Sequence, residues 1–200
     1  MSADENTRNT IHRDMAATMY DRSEGSKTVR PEGIASHDAG EPARTTTTVE
    51  PKVTVSAERI DIAAETMALS GEGDAGALVT FSGFCRDEEG RLSALELEHY
   101  PGMAEQEIRK IAEEAGQRWP LIAVRAAHRH GKIAPGEEIV FVACSSKHRG
   151  AAFEAASFIM DFMKTKAPFW KREHLKDGSV GGWVESKATD EAAEDRWHKI

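Results

Sequence analysis

Residues 137–166, EEIVFVACSSKHRGAAFEAASFIMDFMKTK, contain a strand-length apolar segment followed by a long helical pattern, and this pair decides the fold. The first part, EEIVFVAC at 137–144, is apolar enough to predict a central strand. The second part, residues 149–166, predicts a helix that apolar side chains nearly encircle, so we expect it to be buried on more than one side. Pro168 ends this helix because the residue before a proline avoids the α conformation.

The same alternation of periods continues on both sides of this pair. Upstream, the patterns predict strands at 52–55, 77–84, 92–100 and 121–129, and helices at 61–69 and 103–118. Downstream, they predict a closing hairpin from residues 169–174 and 182–185 around Asp177-Gly178, and a short terminal helix at 190–197. Helices packed on a mixed, mainly antiparallel sheet follow, which is an α+β fold.

The composition of the chain changes near residue 50. Residues 1–50 contain 14 of the 80 apolar residues (40% of 200) and no Leu, Phe or Trp, whereas residues 51–200 contain all seven Phe and all four Trp. A segment so poor in large apolar side chains cannot offset the entropy lost on ordering. We therefore predict a disordered N-terminal extension at 1–50, with a weak amphipathic pattern at 11–20, and one folded domain at 51–200.

Charge and cysteine content exclude several classes of protein. A formal net charge of −8 disfavours a protein that wraps nucleic acid through its overall field. Cys85 and Cys144 lie in apolar segments, so we expect a reducing compartment and no disulfide framework. No apolar segment has the roughly 18 residues of a membrane helix, and the N-terminus lacks the pattern of a secretory signal. We expect a cytoplasmic protein that binds neither nucleic acid nor membrane.

The sequence contains no Walker A, GxSxG or HExxH pattern. His128 and His130, two residues apart, would share one face of a strand, but the sequence supplies no third and fourth zinc ligand. We therefore predict neither a metal site nor a cofactor.

One group of polar and basic residues lies between the central strand and the long helix. In Ser145-Ser146-Lys147-His148-Arg149, free backbone N–H groups and the helix dipole favour binding of an anion such as phosphate. A serine N-cap with solvated charges explains the same residues without any ligand. Both interpretations fit the sequence.

A second basic group surrounds the rigid turn Pro168-Phe169-Trp170 and contains Lys164, Lys166, Lys171 and Arg172. A lysine desolvated against these aromatic rings would have a lowered pKa and could act as a base or nucleophile. Lysines at a helix C-terminus are also ordinary partners of the helix dipole, so this group too has two interpretations.

Arg86, at the end of a buried strand, is a weaker third candidate. An exposed arginine is the common outcome at such a position. Its neighbour Cys85 has no base beside it in the sequence, which favours a buried, inert thiol over a catalytic one.

Taken in order, several blocks of the sequence resemble the family of the large, catalytic subunit of molybdopterin synthase. The blocks are GALVTFSG at 76–83 with Arg86, LELEHYPGM at 95–103, RWP at 118–120, HRHG at 128–131, PGEEIVFV at 135–142, SKHR at 146–149, AFEA at 152–155 and MKTKAPFWK at 163–171. The resemblance covers about residues 52–197, and KTxAPFWK with the preceding SxHR is its most specific part.

The resemblance implies a sulfur-transferring enzyme of molybdenum-cofactor biosynthesis with the α/β-hammerhead fold of that family. The implied substrate is a cyclic pyranopterin monophosphate, and the implied product carries a dithiolene. Sulfur would arrive as a thiocarboxylate on the C-terminal Gly-Gly of a small ubiquitin-like subunit. The implied assembly is a heterotetramer built on a homodimer of large subunits, with no metal needed for this step.

The functional residues implied by the resemblance inside the matched motifs are Arg86, His148, Arg149, Lys164 and Lys171. Lys164 and Lys171 are the predicted catalytic residues, with Lys164 nearest the incoming glycine terminus. The predicted substrate-binding set is Phe84, Cys85, Arg86, His148, Arg149, Lys164, Lys171, Arg172 and Glu173. Because Arg149 opens the long helix and Lys164 closes it, we also predict a site shared by two subunits.

Two other functions fit the same residues. One is a non-catalytic module that keeps the fold and the pocket but only docks the ubiquitin-like partner. The other is an enzyme that uses Lys164 as a Schiff-base lysine. Loss of sulfur transfer in Lys164→Ala with partner binding retained would exclude the first, and borohydride trapping with a carbonyl substrate would support the second.

Overall fold

The computed structural model describes residues 49–70, 73–87, 89–184 and 196–199, which all fall in one compact unit. Except for residues 49 and 50, the predicted N-terminal extension lies outside these residues, as does its helix pattern at 11–20. Val49 is buried in the main hydrophobic core. The packed core therefore includes a residue that lies just before the predicted boundary at residue 51.

The strands of the described part form two four-stranded sheets. The first sheet contains β1 (Lys52–Ser56), β2 (Ala77–Phe84), β4 (Leu121–Arg129) and β6 (Glu138–Ser146), in the order β1-β4-β6-β2. The second contains β3 (Leu92–His99), β5 (Gly131–Ile133), β7 (Phe169–Leu175) and β8 (Val180–Val184), in the order β5-β3-β7-β8. Only β1 and β4 pair in parallel within these sheets, so the α+β fold with mixed, mainly antiparallel pairing is confirmed.

Three α-helices complete the fold of the described residues, and local sequence explains where each begins. In α1 (Ile62–Met67), Asp61 caps the first turn because its carboxylate accepts a hydrogen bond from the Ala64 N–H at 2.9 Å. In α2 (Met103–Arg118), Glu105 accepts a hydrogen bond from the Gly102 N–H. The third helix, α3 (Arg149–Thr165), is continuous over 17 residues.

The first sheet is covered on both faces. Val140, Val142 and Cys144 of β6 pack with α2 and α3 in the main core, whereas Phe141 and Ala143 pack on the opposite face. This alternation follows the two-residue period of a strand. It confirms β6 as a central strand that is buried on both faces, and it fixes α3 firmly against the sheet.

Several details differ from the predictions. The hairpin strands β7 and β8 join β3 in a sheet of their own, and β5, only three residues long, was not predicted. The helix predicted at 190–197 is observed only as a 3-10 turn at Arg196–Lys199, and residues 190–195 lie outside the described part. Phe153 of α3 is 61% exposed, so the encirclement of this helix by packing is incomplete. None of the helices in the described ranges is long and apolar enough to cross a bilayer.

Candidate active site

A cavity of about 360 Å³ lies where the two sheets meet the C-terminal half of α3. Its volume falls within the roughly 300–1,000 Å³ typical of small-molecule sites. Its apolar walls come from Leu95, Leu97, Ile139, Val140, Met160, Met163 and Ala167. Walls of this kind lower the local dielectric, which strengthens the effect of any charge that faces the cavity.

Three of the predicted residues, Phe84, Lys164 and Lys171, line this cavity together. Lys164 lies in the last turn of α3, and Lys171 lies on β7, where it pairs with Leu97 of β3. The turn between them is tight, since the Phe169 N–H donates to the Ala167 carbonyl oxygen at 2.8 Å. Lys164 is exposed and Lys171 is half-buried, so both ammonium groups belong to the border between the apolar wall and solvent.

Two phenylalanines of β2 line the cavity where it opens to solvent. Phe81 is 41% exposed and Phe84 is 51% exposed, although both are large and apolar. Gly83 lies between them, and a β-carbon there would come within 2.6 Å of Val140 Cγ1. A larger residue at this position would therefore have to displace the Val140 side chain where β2 approaches β6 beside the cavity.

The strand β7 divides the predicted residues between its two faces. Phe169 and Lys171 face the cavity, whereas the next residue, Arg172, points to the other face because side chains alternate along a strand. There the Arg172 Nε donates to Glu96 Oε2 at 2.6 Å, and the guanidinium stacks 4.7 Å from the Trp183 ring. The hydrogen bonds from Arg172 and His174 lower the pKa of Glu96 to about 2.

A second, smaller cavity of about 160 Å³ contains two other predicted residues, Arg86 and Glu173. Charged side chains of both signs line it, including Asp87 and Arg91. The neighbouring Cys85 is 3% exposed, and its backbone bonds to Glu137 and Gly136. Burial raises the pKa of the Cys85 thiol, so the thiol stays protonated and inert, as the sequence favours.

The predicted anion site at the start of α3 is separate from both cavities. His148 and Arg149 are exposed at the first turn, and neither lines the cavity that contains Lys164. The His148 N–H donates to Ser146 Oγ at 3.3 Å, and Ser146 Oγ donates to the Pro120 carbonyl oxygen at 2.8 Å. The serine therefore fixes the backbone of this turn, while the His148 and Arg149 side chains face solvent.

One cavity residue that the predicted site does not include is His128 of β4. Its ring stacks on Phe169, with centroids 3.8 Å apart and planes inclined by 20°. The sequence signal that could have identified His128 is the two-residue spacing that it shares with Val124 and Ala126, which places all three on the core face of β4. Among the described residues, no group of three or more His, Cys, Asp or Glu side chains is arranged to hold a metal ion.

Comparison with known proteins identifies the family. The sequence model of the MoaE protein family matches residues 55–166. The molybdopterin synthase catalytic subunit of Mesorhizobium japonicum is 62% identical over 148 residues, which are 74% of this chain and 93% of that protein. The solved structure of the molybdopterin biosynthesis MoaE protein from Burkholderia ambifaria matches with a TM-score of 0.64 at 45% identity, covering 74% of this chain and 98% of that one.

A more distant structure shares the fold at 20% identity. It is a protein–protein complex of subunits 1 and 2 of molybdopterin-converting factor from Helicobacter pylori, with a TM-score of 0.55 over 70% of this chain and 92% of that one. The region matched by the family model, residues 55–166, includes α3 and all four strands of the first sheet, apart from the first residues of β1. The chain belongs to the MoaE family, the catalytic subunits of molybdopterin synthase.

Proposed function

We propose that the cavity between α3 and β7 is where this chain transfers sulfur to a cyclic pyranopterin monophosphate and so forms a dithiolene. The observation that carries the proposal is the pair Lys164 and Lys171, which two different elements bring to one largely apolar cavity. Attack of a thiocarboxylate on the pterin ring system builds up negative charge, which an ammonium group beside a low-dielectric wall stabilises. The same lysines can relay protons, so they are the proposed catalytic residues.

The proposed sulfur donor is the thiocarboxylate at the C-terminal Gly-Gly of a small ubiquitin-like subunit. An extended glycine tail carries no side chains and fits a narrow groove between backbone and aromatic walls. Phe81 and Phe84 supply such walls where the cavity opens. Lys164, at the end of α3, is the proposed contact for the incoming carboxyl terminus.

The substrate phosphate is proposed to bind His148 and Arg149 at the N-terminus of α3, where the helix dipole and free N–H groups favour an anion. Because α3 is continuous, Arg149 and Lys164 are separated by about 22 Å at 1.5 Å per residue. A pterin monophosphate spans on the order of half that distance. We therefore propose a two-fold homodimer in which one chain binds the phosphate and its partner supplies the lysines.

The other predicted substrate-binding residues keep supporting roles in the proposal. Arg86 and Glu173 would act from the smaller cavity, and Phe84 through its ring in the larger one. The Cys85 backbone bonds to Glu137 and Gly136, so Cys85 would act by holding the end of β2 in place. Arg172 would contact substrate only by releasing Glu96, so the geometry favours a role in holding β7 against β3. The free, buried cysteines Cys85 and Cys144 fit a reducing compartment, and we propose the cytoplasm.

Turnover tests the proposal directly. The purified chain is mixed with the thiocarboxylated small subunit and the cyclic precursor, and the dithiolene product is measured. We expect product only when all three are present. A chain that binds the small subunit tightly but forms no product would contradict a catalytic role and support a docking module.

A further inference from the structure

His128 belongs to neither of the basic groups that the sequence singles out, yet its ring lines the cavity with Lys164 and Lys171. It lies on β4, where Val55 of β1 and Val140 of β6 flank it in register. Phe169 of the second sheet covers one face of the ring. The imidazole is therefore held at the junction of the two sheets.

The hydrogen bonding of the ring determines which nitrogen carries the hydrogen. His128 Nδ1 lies 2.8 Å from the Arg129 carbonyl oxygen, and a carbonyl oxygen can only accept. Nδ1 is therefore the donor, and in the neutral imidazole Nε2 keeps its lone pair. Nε2 is thus the ring nitrogen that can accept a hydrogen bond from a ligand in the cavity.

The surroundings of the ring keep it neutral. Burial disfavours the imidazolium form, and His99 and His130 nearby oppose a further positive charge, which lowers the pKa of His128 to about 4. A base near pH 7 needs a pKa near 7, so His128 is suited to accept a hydrogen bond and not to accept a proton.

We propose that His128 is a ligand-binding residue of this cavity, whose Nε2 accepts a hydrogen bond from an N–H group of the molecule that enters it. The inference rests on the proposed function, which supplies two molecules with such a group: the pterin ring and the peptide of the glycine tail. The fixed acceptor pairs with an N–H group of the ligand, whereas the two lysines of the cavity can donate only to its oxygens. His128 thereby selects and orients the ligand, while the lysines act on charge.

Three substitutions of His128 separate the role of its Nε2 acceptor from the stacking and the Nδ1 hydrogen bond of the ring. His128→Phe keeps the stacking on Phe169 and removes both nitrogens. His128→Asn keeps a donor near the Arg129 carbonyl oxygen and removes the acceptor, whereas His128→Gln restores an amide oxygen near the position of Nε2. His99→Phe is the matched control, because His99 also stacks on Phe169, at 5.8 Å, but does not line the cavity.

The measurements are the KM for the precursor at saturating small subunit, the Kd of the thiocarboxylated small subunit, and the melting temperature. We expect His128→Phe and His128→Asn to weaken one of the two ligands by about 10- to 100-fold, the loss typical of an unpaired buried N–H group. The ligand that weakens identifies the source of the hydrogen bond. Partial rescue by His128→Gln and an unchanged His99→Phe would support the inference, and unchanged KM and Kd in folded His128→Phe and His128→Asn would overturn it.

A spectroscopic measurement on the intact protein covers the case in which the variants do not fold. Imidazole ¹⁵N spectra near pH 7 should show His128 with Nδ1 protonated and Nε2 unprotonated, and the Nε2 signal should move when the precursor or the small subunit is added alone. A protonated Nε2, or no movement with either ligand, would overturn the inference. These spectra need no turnover, so they separate failure of this inference from failure of the proposed function.

Discussion

Gly76 lies so close to Lys147 that a β-carbon on Gly76 would come within 2.4 Å of the Lys147 carbonyl oxygen. The Gly76 N–H also donates to the Ser146 carbonyl oxygen at 3.1 Å. The start of β2 is thus packed against the backbone that leads into His148 and Arg149. Since a backbone oxygen cannot rotate away as a side chain can, this contact fixes the position of the proposed phosphate site.

We predict that Gly76→Ala destabilises the domain by about 1–3 kcal/mol, the usual cost of overpacking, and weakens precursor binding by displacing the 146–149 turn. Gly150→Ala is the control, because a β-carbon at Gly150 meets nothing within 4 Å. Alanine in a helix should leave stability unchanged or raise it by up to about 1 kcal/mol. Urea unfolding measures the stability of both variants. Equal stability of Gly76→Ala and Gly150→Ala would contradict the close packing of Gly76 against Lys147.

The boundary of the folded domain gives a second prediction. Residues 1–47 should be dispensable for folding and sulfur transfer, because they contain no Leu, Phe or Trp and few other large apolar side chains. Val49 is 6% exposed and packs near Gly116 of α2, so its loss should matter. We expect a chain that begins at Thr48 to match the full chain, and one that begins at Pro51 to lose about 1–3 kcal/mol. Equal urea midpoints for the two truncated chains would refute a role for Val49.

The stability of the domain should fall on mild acidification because of His128. Its pKa is about 4 in the folded chain against 6.5 for an ordinary histidine, so the unfolded chain binds more protons between these values. Unfolding free energy therefore rises with pH in this window, by at most about 1.4 kcal/mol per pH unit. When the pH is lowered from 6.5 to 5, we predict that the unfolding free energy of His128→Phe falls by about 1–2 kcal/mol less than that of wild type.

Urea titrations at pH 6.5 and 5 measure this difference. Glu96, with a pKa of about 2 when folded and 4.5 otherwise, releases or binds few protons above pH 5, so it does not obscure the result. Parallel pH profiles for wild type and His128→Phe would mean that the histidine is not held neutral by its surroundings.

Local sequence determined much of the fold but little of the cavity. The bounds of β2, α2 and β4 agree with their predicted residues, because period, caps and Pro120 act within each segment. Whether β3 pairs with β6 or with β7 depends on contacts distant in sequence, so the split into two sheets was not predictable from periodicity. His128 and Phe169 are likewise 41 residues apart and meet only when the two sheets pack.

The two cavity lysines should be needed for chemistry more than for partner binding. We predict that Lys164→Ala and Lys171→Ala each lower single-turnover sulfur transfer by about 10²–10⁴-fold, the usual contribution of acid–base catalysis. The Kd of the small subunit should change much less. Lys110→Ala on the exposed face of α2 is the control and should keep full activity. A drop of only twofold in both cavity variants would remove the lysines from the mechanism.

The separation of Arg149 and Lys164 along α3 predicts that two inactive variants restore each other. Both residues lie on one continuous 17-residue helix, about 22 Å apart, which is too far for one pterin monophosphate to touch. In a two-fold dimer, a mixed pair of Arg149→Ala and Lys164→Ala chains would carry one site with an intact arginine and an intact lysine. We expect activity to reappear after subunit exchange, reaching up to about half of the wild-type value per mixed dimer, because one of its two sites is whole. Exchange is verified by mass-tagged chains, and proven exchange without recovered activity would mean that each site is built within one chain.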